Sequence, residues 1–278
     1  MTTGSSALRR RDATGWTVIE NDPEAPRRRV LMLPGLFCTS EFFTDVLADE
    51  ALATAGVAAL AADPPGFAGL PVPGGFDYSI GSYAALVEQF AATESIDLIV
   101  GHSFGANVGI EVAARGRFGG KLLLLSPSLS REDEEDDLRS LDEASHTPIV
   151  GTLVWLGINP TLKRGMRGRL PEDRFDALLR EMKRNPRSAN RAQVVGFFEH
   201  LAAHGGEVAS RLATASAPVW VGRGDRDEVG ITDAELAILD AAPHVTLKTI
   251  PGAAHFSITD TPHAVAQLVL DLLAHEES

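Results

Sequence analysis

Ile96-Asp-Leu-Ile-Val-Gly-His-Ser-Phe-Gly-Ala106 is the stretch on which the fold turns. Ile96 to Val100 reads as a short, mostly apolar strand, and Ala106 to Ala114 as a helix rich in small residues. Between them stands Gly101-His-Ser-Phe-Gly105, a G-x-S-x-G that leaves no room for a loop. A strand that passes directly into a helix crowds backbone against backbone, so the positions two before and two after the serine must be small. The serine is forced into a costly backbone region that lifts its hydroxyl clear of the sheet. The positive end of the following helix dipole then lies where an oxyanion would form. Ser103 is therefore the expected nucleophile.

Outward from this turn, short β-rich apolar runs alternate with longer helical stretches, the rhythm of a mostly parallel sheet covered on both faces. Thr17–Glu20, Val30–Leu33, Val57–Ala62, Lys121–Leu125, Val219–Val221 and Val245–Ile250 read as further strands. Glu41–Ala55, Ser82–Thr93, Gln193–Leu212, Asp233–Ala241 and Thr259–Ala274 read as helices. The expectation is an α/β fold with a central sheet of about eight strands.

From about Ser126 to Asn190 the strand rhythm stops. His146–Gly157 is largely apolar and Pro171–Lys183 is amphipathic. Residues 127–190 are thus expected to be a helical cap inserted into a core made of residues 1–126 and 191–278. Val150, Leu153, Trp155, Leu156 and Ile158 suggest an apolar underside for it, or simple packing onto the core, and Trp155 is the expected substrate contact. The acidic run Arg131-Glu-Asp-Glu-Glu-Asp-Asp137 lacks the alternation and glycine of a calcium loop and reads as a solvated helix start.

A serine hydroxyl needs a base to take its proton, and the base needs an orienting carboxylate. Both belong in loops after later strands, in the order serine, acid, histidine. Trp220-Val-Gly-Arg-Gly-Asp225 is strand, turn and acid, with Asp227 two residues further on. Ile250-Pro-Gly-Ala-Ala-His255 is strand, turn and histidine.

These pieces, with Leu33-Pro-Gly-Leu36, Asp63-Pro-Pro-Gly66, Phe256 after the histidine and Pro262 opening the last helix, resemble the α/β-hydrolase family from about residue 17 to 275. The resemblance implies Ser103 as nucleophile, His255 as base and Asp225 as acid, by the family spacing Gly-x-x-Asp; Asp227 is the rival. It implies an oxyanion hole from the N–H groups of Phe104 and Leu36, with Phe37 the second choice and a pocket-lining residue. Related enzymes often carry His-Gly where this chain has Pro34-Gly35. In the loop after Asp63, Ala68 replaces the family's second glycine, which bears on the pocket wall rather than the triad. His102 is expected to be structural and Cys38 a small buried residue. His200 and His204 share a helix face but lack a third ligand, so no metal is expected, and no cofactor.

The reaction expected is hydrolysis of a small carboxylic ester or thioester through an acyl-enzyme, as in a carboxylesterase. The same triad serves acyl transfer, lactone opening or C–C hydrolysis equally well, and a non-enzymatic small-molecule binder is the third class. Relatives that open haloalkanes or epoxides use an aspartate where this chain has Ser103. The expected partner is an uncharged, partly hydrophobic small molecule. A formal net charge of −13 disfavours nucleic acid. One cysteine excludes an intrachain disulfide, and no run approaches the ~20 apolar residues of a membrane span. Arg9-Arg-Arg11 is not followed by the apolar run of a secretory signal, so the expected location is cytoplasmic, as monomer or homodimer.

Overall fold

The structure, a computed structural model, describes residues 8–204, 207–212, 214–215, 217–229 and 231–275. Its eight strands are β1 (Arg9–Ala13), β2 (Trp16–Glu20), β3 (Arg28–Leu33), β4 (Val57–Asp63), β5 (Leu98–His102), β6 (Lys121–Leu125), β7 (Val219–Gly224) and β8 (Val245–Ile250). They form one sheet in the order β1-β2-β4-β3-β5-β6-β7-β8. β1 and β2 are antiparallel to their neighbours, and β3 to β8 run parallel. Every residue of β4 and β5 is buried, as a sheet covered on both faces requires.

The strand order reverses beside β3, with β4 on one side and β5 on the other. Such a switch point opens a crevice beyond the carboxyl ends of the strands. The loops after β3, β5, β7 and β8 all emerge at that edge.

Helix α1 (Ile80–Glu94) starts at Ser79, whose hydroxyl accepts from the Ser82 N–H at 3.1 Å. Helix α2 (Phe104–Arg115) follows β5 without a loop. Between β6 and β7 lie α3 (Asp136–Ser145), α4 (Pro148–Leu156), α5 (Ile158–Gly165), α6 (Phe175–Met182) and α7 (Arg187–His204). Helices α8 (Asp233–Ala241) and α9 (Pro262–Ala274) complete the core. The expected α/β-hydrolase architecture of about eight strands is present.

Several expectations need correction. Strand β1 was not anticipated, because Arg9, Arg10 and Arg11 do not look like a strand. Thr14 and Gly15, with φ of 50° and 85°, turn it into a hairpin, and its arginines pair with Glu20, Glu41 and Glu94. The helix expected over 41–55 is broken, because Asp49 leaves the helical path to cap the Ala51 N–H at 2.9 Å. Helix α7 starts at Arg187 and runs unbroken through the expected boundary at 190/191. The acidic run is not solvated throughout. Asp133 and Glu134 are buried, and Asp133 accepts from the N–H groups of Leu129 and Ser130, both at 2.8 Å. Strand β7 extends three residues beyond its expected end at Val221.

Candidate active site

Ser103 sits between β5 and α2 with φ 51° and ψ −117°, a left-handed conformation that costs a non-glycine residue about 1–3 kcal/mol. The neighbouring glycines explain how the turn closes. A Cβ on Gly101 would lie 2.2 Å from the Gly105 carbonyl oxygen, and one on Gly105 would lie 2.5 Å from that of Leu33. The Ser103 N–H donates to the Leu125 carbonyl at 2.8 Å, fixing the turn to β6. Its side chain opens onto a cavity of about 430 Å³.

His255 lines the same cavity from the loop after β8. Its Nδ1 lies 3.2 Å from Asp227 Oδ1, and the Asp227 side chain is fully buried. Burial alone would raise the Asp227 carboxyl, but the facing imidazole, with the Ser126 hydroxyl and the Val229 N–H, together outweigh it and hold the carboxyl below its ordinary value. Burial alone would lower the His255 ring, but the hydrogen bond and charge of Asp227, with the charges of Glu134 and Glu228, together outweigh it, and the ring is raised above the usual histidine value.

Asp225, the preferred acid of the sequence reading, does not meet the imidazole. Its half-exposed carboxylate accepts from the Gly252 N–H at 3.0 Å and ties the β7 loop to the β8 loop. The reason is the extra length of β7. Two glycines satisfy the Gly-x-x-Asp spacing, Gly222 with Asp225 and Gly224 with Asp227. The strand ends at Gly224, so the carboxylate three residues beyond its end, the one that meets the imidazole, is Asp227. A Cβ on Gly224 would lie 2.3 Å from the Ala253 carbonyl oxygen, which shows how closely the two loops are pressed together. The Gly224–Asp227 spacing is present in the sequence, but an expected strand end at Val221 favours Gly222–Asp225 instead.

Leu36 and Phe37 border the cavity, and Phe104 opens α2 beside it. Phe37 has φ 64°, so the loop after β3 is itself held in a rare conformation. Asn185 is what holds it, a residue the sequence reading missed. Its buried amide donates to the carbonyls of Phe37 at 2.8 Å and Cys38 at 3.1 Å, and its oxygen accepts from the Ala68 N–H at 2.6 Å. One side chain thus joins the α6–α7 turn to the loops after β3 and β4. No motif flags it, because its partners are main-chain groups more than a hundred residues away. Cys38 is buried as expected, and burial pushes its thiol pKa up.

His102 stays off the cavity wall. Its Nε2 donates to the His255 carbonyl at 2.8 Å, and burial pushes the ring down to about 3, so it remains neutral and braces the His255 loop. Trp155, the expected substrate contact, is not on the wall either. It is buried behind it, donating Nε1–H to the Ser145 hydroxyl at 2.8 Å and stacking on Phe37. Of the expected apolar underside only Ile158 reaches the cavity, joined there by Val154; Val150, Leu153 and Leu156 face outward. Glu134 does reach the cavity. It accepts the Ser128 hydroxyl, and burial raises its carboxyl above the ordinary glutamate value. His200 is buried, which pushes it down to about 4. Among the described residues no group of three side chains could hold a metal ion, and no helix is long and apolar enough to cross a membrane.

A family model described as "Alpha/beta hydrolase family" matches residues 30–268. No curated protein matches the chain. Among solved structures, an esterase from Thermogutta terrifontis is similar with TM-score 0.71 at 17% identity, covering 96% of this chain and 98% of that one. An enol-lactonase from Burkholderia xenovorans gives TM-score 0.68 at 18% identity, over 96% and 100%. A haloalkane dehalogenase from Bradyrhizobium elkani gives 0.69 at 18%, over 96% and 97%. At these identities the likeness is one of fold.

Proposed function

The chain belongs to the alpha/beta hydrolase family, and from that premise we propose that it is a serine hydrolase of small carboxylic esters or thioesters. The observation that carries this reading is the shared cavity. Ser103, lifted by its strained turn, and His255, backed by the buried Asp227, both face it.

In this mechanism His255 Nε2 takes the Ser103 proton as Oγ attacks the substrate carbonyl. Asp227 holds the Nδ1–H tautomer and stabilises the imidazolium that forms. The N–H groups of Phe104 and Leu36 receive the oxyanion. The imidazolium then protonates the leaving alkoxide or thiolate. Water, deprotonated by His255, attacks the acyl-enzyme carbonyl and releases the acid and Ser103. No cofactor enters any step.

A serine nucleophile supports acyl chemistry over halide displacement, which in this family uses an aspartate. The cavity wall is largely apolar, with Leu138, Leu141, Ile158, Leu162 and Met166 on it. That supports an uncharged, partly hydrophobic substrate. The helical segment between β6 and β7 supplies those residues and serves as the cap over the site.

The test is hydrolysis of a short p-nitrophenyl ester by the wild type and by Ser103→Ala. The variant is expected to lose on the order of 10⁶-fold in kcat. Equal hydrolysis by both would remove the nucleophile from the account.

A further inference from the structure

The described residues expose five large apolar side chains, and four of them lie on one helix. Ile149, Val150, Leu153 and Leu156 of α4 are each more than half exposed. The opposite side of α4 is spoken for. Gly151 abuts the Ala144 carbonyl and the Arg191 guanidinium, Val154 faces the cavity and Trp155 is buried. Helix α5 is arranged the same way, with Ile158, Thr161, Leu162 and Gly165 toward the cavity. On its far side Lys163 and Arg164 are exposed, followed by Arg167. The two helices therefore turn an apolar strip and a basic strip away from the pocket.

Charge is unevenly distributed along the chain. Residues 147–191 hold ten Lys and Arg against four Asp and Glu, whereas the preceding residues 127–146 hold two against eight and the whole chain holds 25 against 38. Lys163, Arg164, Arg167, Lys183 and Arg187 are exposed, and none is in an ion pair among the described residues. An apolar helix face left open to water marks an interaction site. A second copy meeting through the same face would bring Lys163, Arg164 and Arg167 against their own kind, which disfavours a symmetric dimer. A surface that is apolar beneath and negatively charged above satisfies both strips at once.

We propose that the outward face of α4 and α5 docks the protein on an anionic lipid surface, with α4 lying in the plane of the interface. Ile149, Val150, Leu153 and Leu156 enter the boundary between headgroups and acyl chains, while Lys163, Arg164 and Arg167 meet lipid phosphates. A nine-residue helix buries too little by itself for firm attachment, so the cations are the needed second signal. The cavity-lining Val154 and Ile158 belong to the same two helices, so docking brings the pocket wall to the lipid. The proposal does not rest on the chemistry at Ser103.

The experiment is co-sedimentation of the full chain with vesicles of phosphatidylcholine alone or mixed equally with phosphatidylglycerol. The wild type is expected to pellet with the mixed vesicles and to stay in solution with phosphatidylcholine. K163Q/R164Q removes two cations and is expected to lower the partition coefficient about 25-fold, at about fivefold each. I149S/L153S is expected to lower it at least tenfold. All these side chains lie off the cavity wall, so both variants keep the wild-type ester turnover and melting temperature without vesicles. Wild-type protein that stays in solution with the mixed vesicles overturns the proposal, as does I149S/L153S binding like wild type. A dimer in sedimentation velocity that I149S/L153S dissociates assigns the face to a second copy, and equally overturns it.

Discussion

At the residue scale the two carboxylates of the β7 loop divide two tasks, although they stand two positions apart. Asp227 is sealed under the imidazole, while Asp225 accepts a main-chain N–H at the surface. Asp227→Asn is expected to lower kcat on the order of 10⁴-fold, because it favours the wrong tautomer of the base. Asp225→Asn exchanges one exposed acceptor for another and is expected to cost less than tenfold; kinetics on the ester substrate separate the two. The base also dictates the pH profile. His255 acts only when neutral, and Asp227 raises its pKa above the ordinary 6.5. The acid limb of kcat/KM is therefore expected above pH 6.5 in the wild type. In Asp227→Asn only the charges of Glu134 and Glu228 still oppose burial, so the residual activity has its limb shifted below that of the wild type. An unchanged limb would show that Asp227 does not act on the base. Ser103 carries a further consequence. Its left-handed backbone suits glycine, so Ser103→Gly is expected to abolish turnover while raising unfolding stability by about 1 kcal/mol, read by urea titration.

Elements place these residues, and one side chain couples three of them. Asn185 closes the α6–α7 turn onto the loop after β3 and the loop after β4. Asn185→Ala leaves buried main-chain groups unpaired and is expected to lose about 1–3 kcal/mol of stability. It frees the backbone around Phe37, so kcat is expected to fall more than KM rises. At this scale, legibility in the sequence followed locality. The strand, turn and helix around Ser103 are decided by residues within ten positions, and they were readable. The last strand and His255 were readable for the same reason. Where β7 ends was not, because Arg223 and Gly224 pair with Thr249 and Ile250 of β8, and the pairing partner is invisible from within the strand. That three-residue difference is what sets Asp227 rather than Asp225 against the imidazole. Strand β1 was hidden likewise, since its arginines are stabilised by carboxylates on β2 and α1 rather than by an apolar pattern. Glu134 and Asp133 were read as solvated because a charge run looks the same whether or not the β6 loop folds over it.

Across the whole molecule, the parallel sheet gathers residues 36, 103, 227 and 255 at one edge although they span most of the chain. The single cysteine belongs to the same framework. Cys38 is buried beside the nucleophile loop with its thiol held protonated. Ellman's reagent is expected to modify no thiol in the native protein and one per chain in concentrated urea; rapid modification of the native protein would mean that the loop after β3 is open to solvent. Activation of Ser103 by His255 is the step on which every other proposed step depends. A fluorophosphonate probe followed by peptide mass mapping reads this directly. The predicted result is a single adduct on Ser103, absent in Ser103→Ala and strongly slowed in His255→Ala. An adduct on another residue, or labelling of Ser103→Ala at the wild-type rate, would contradict it.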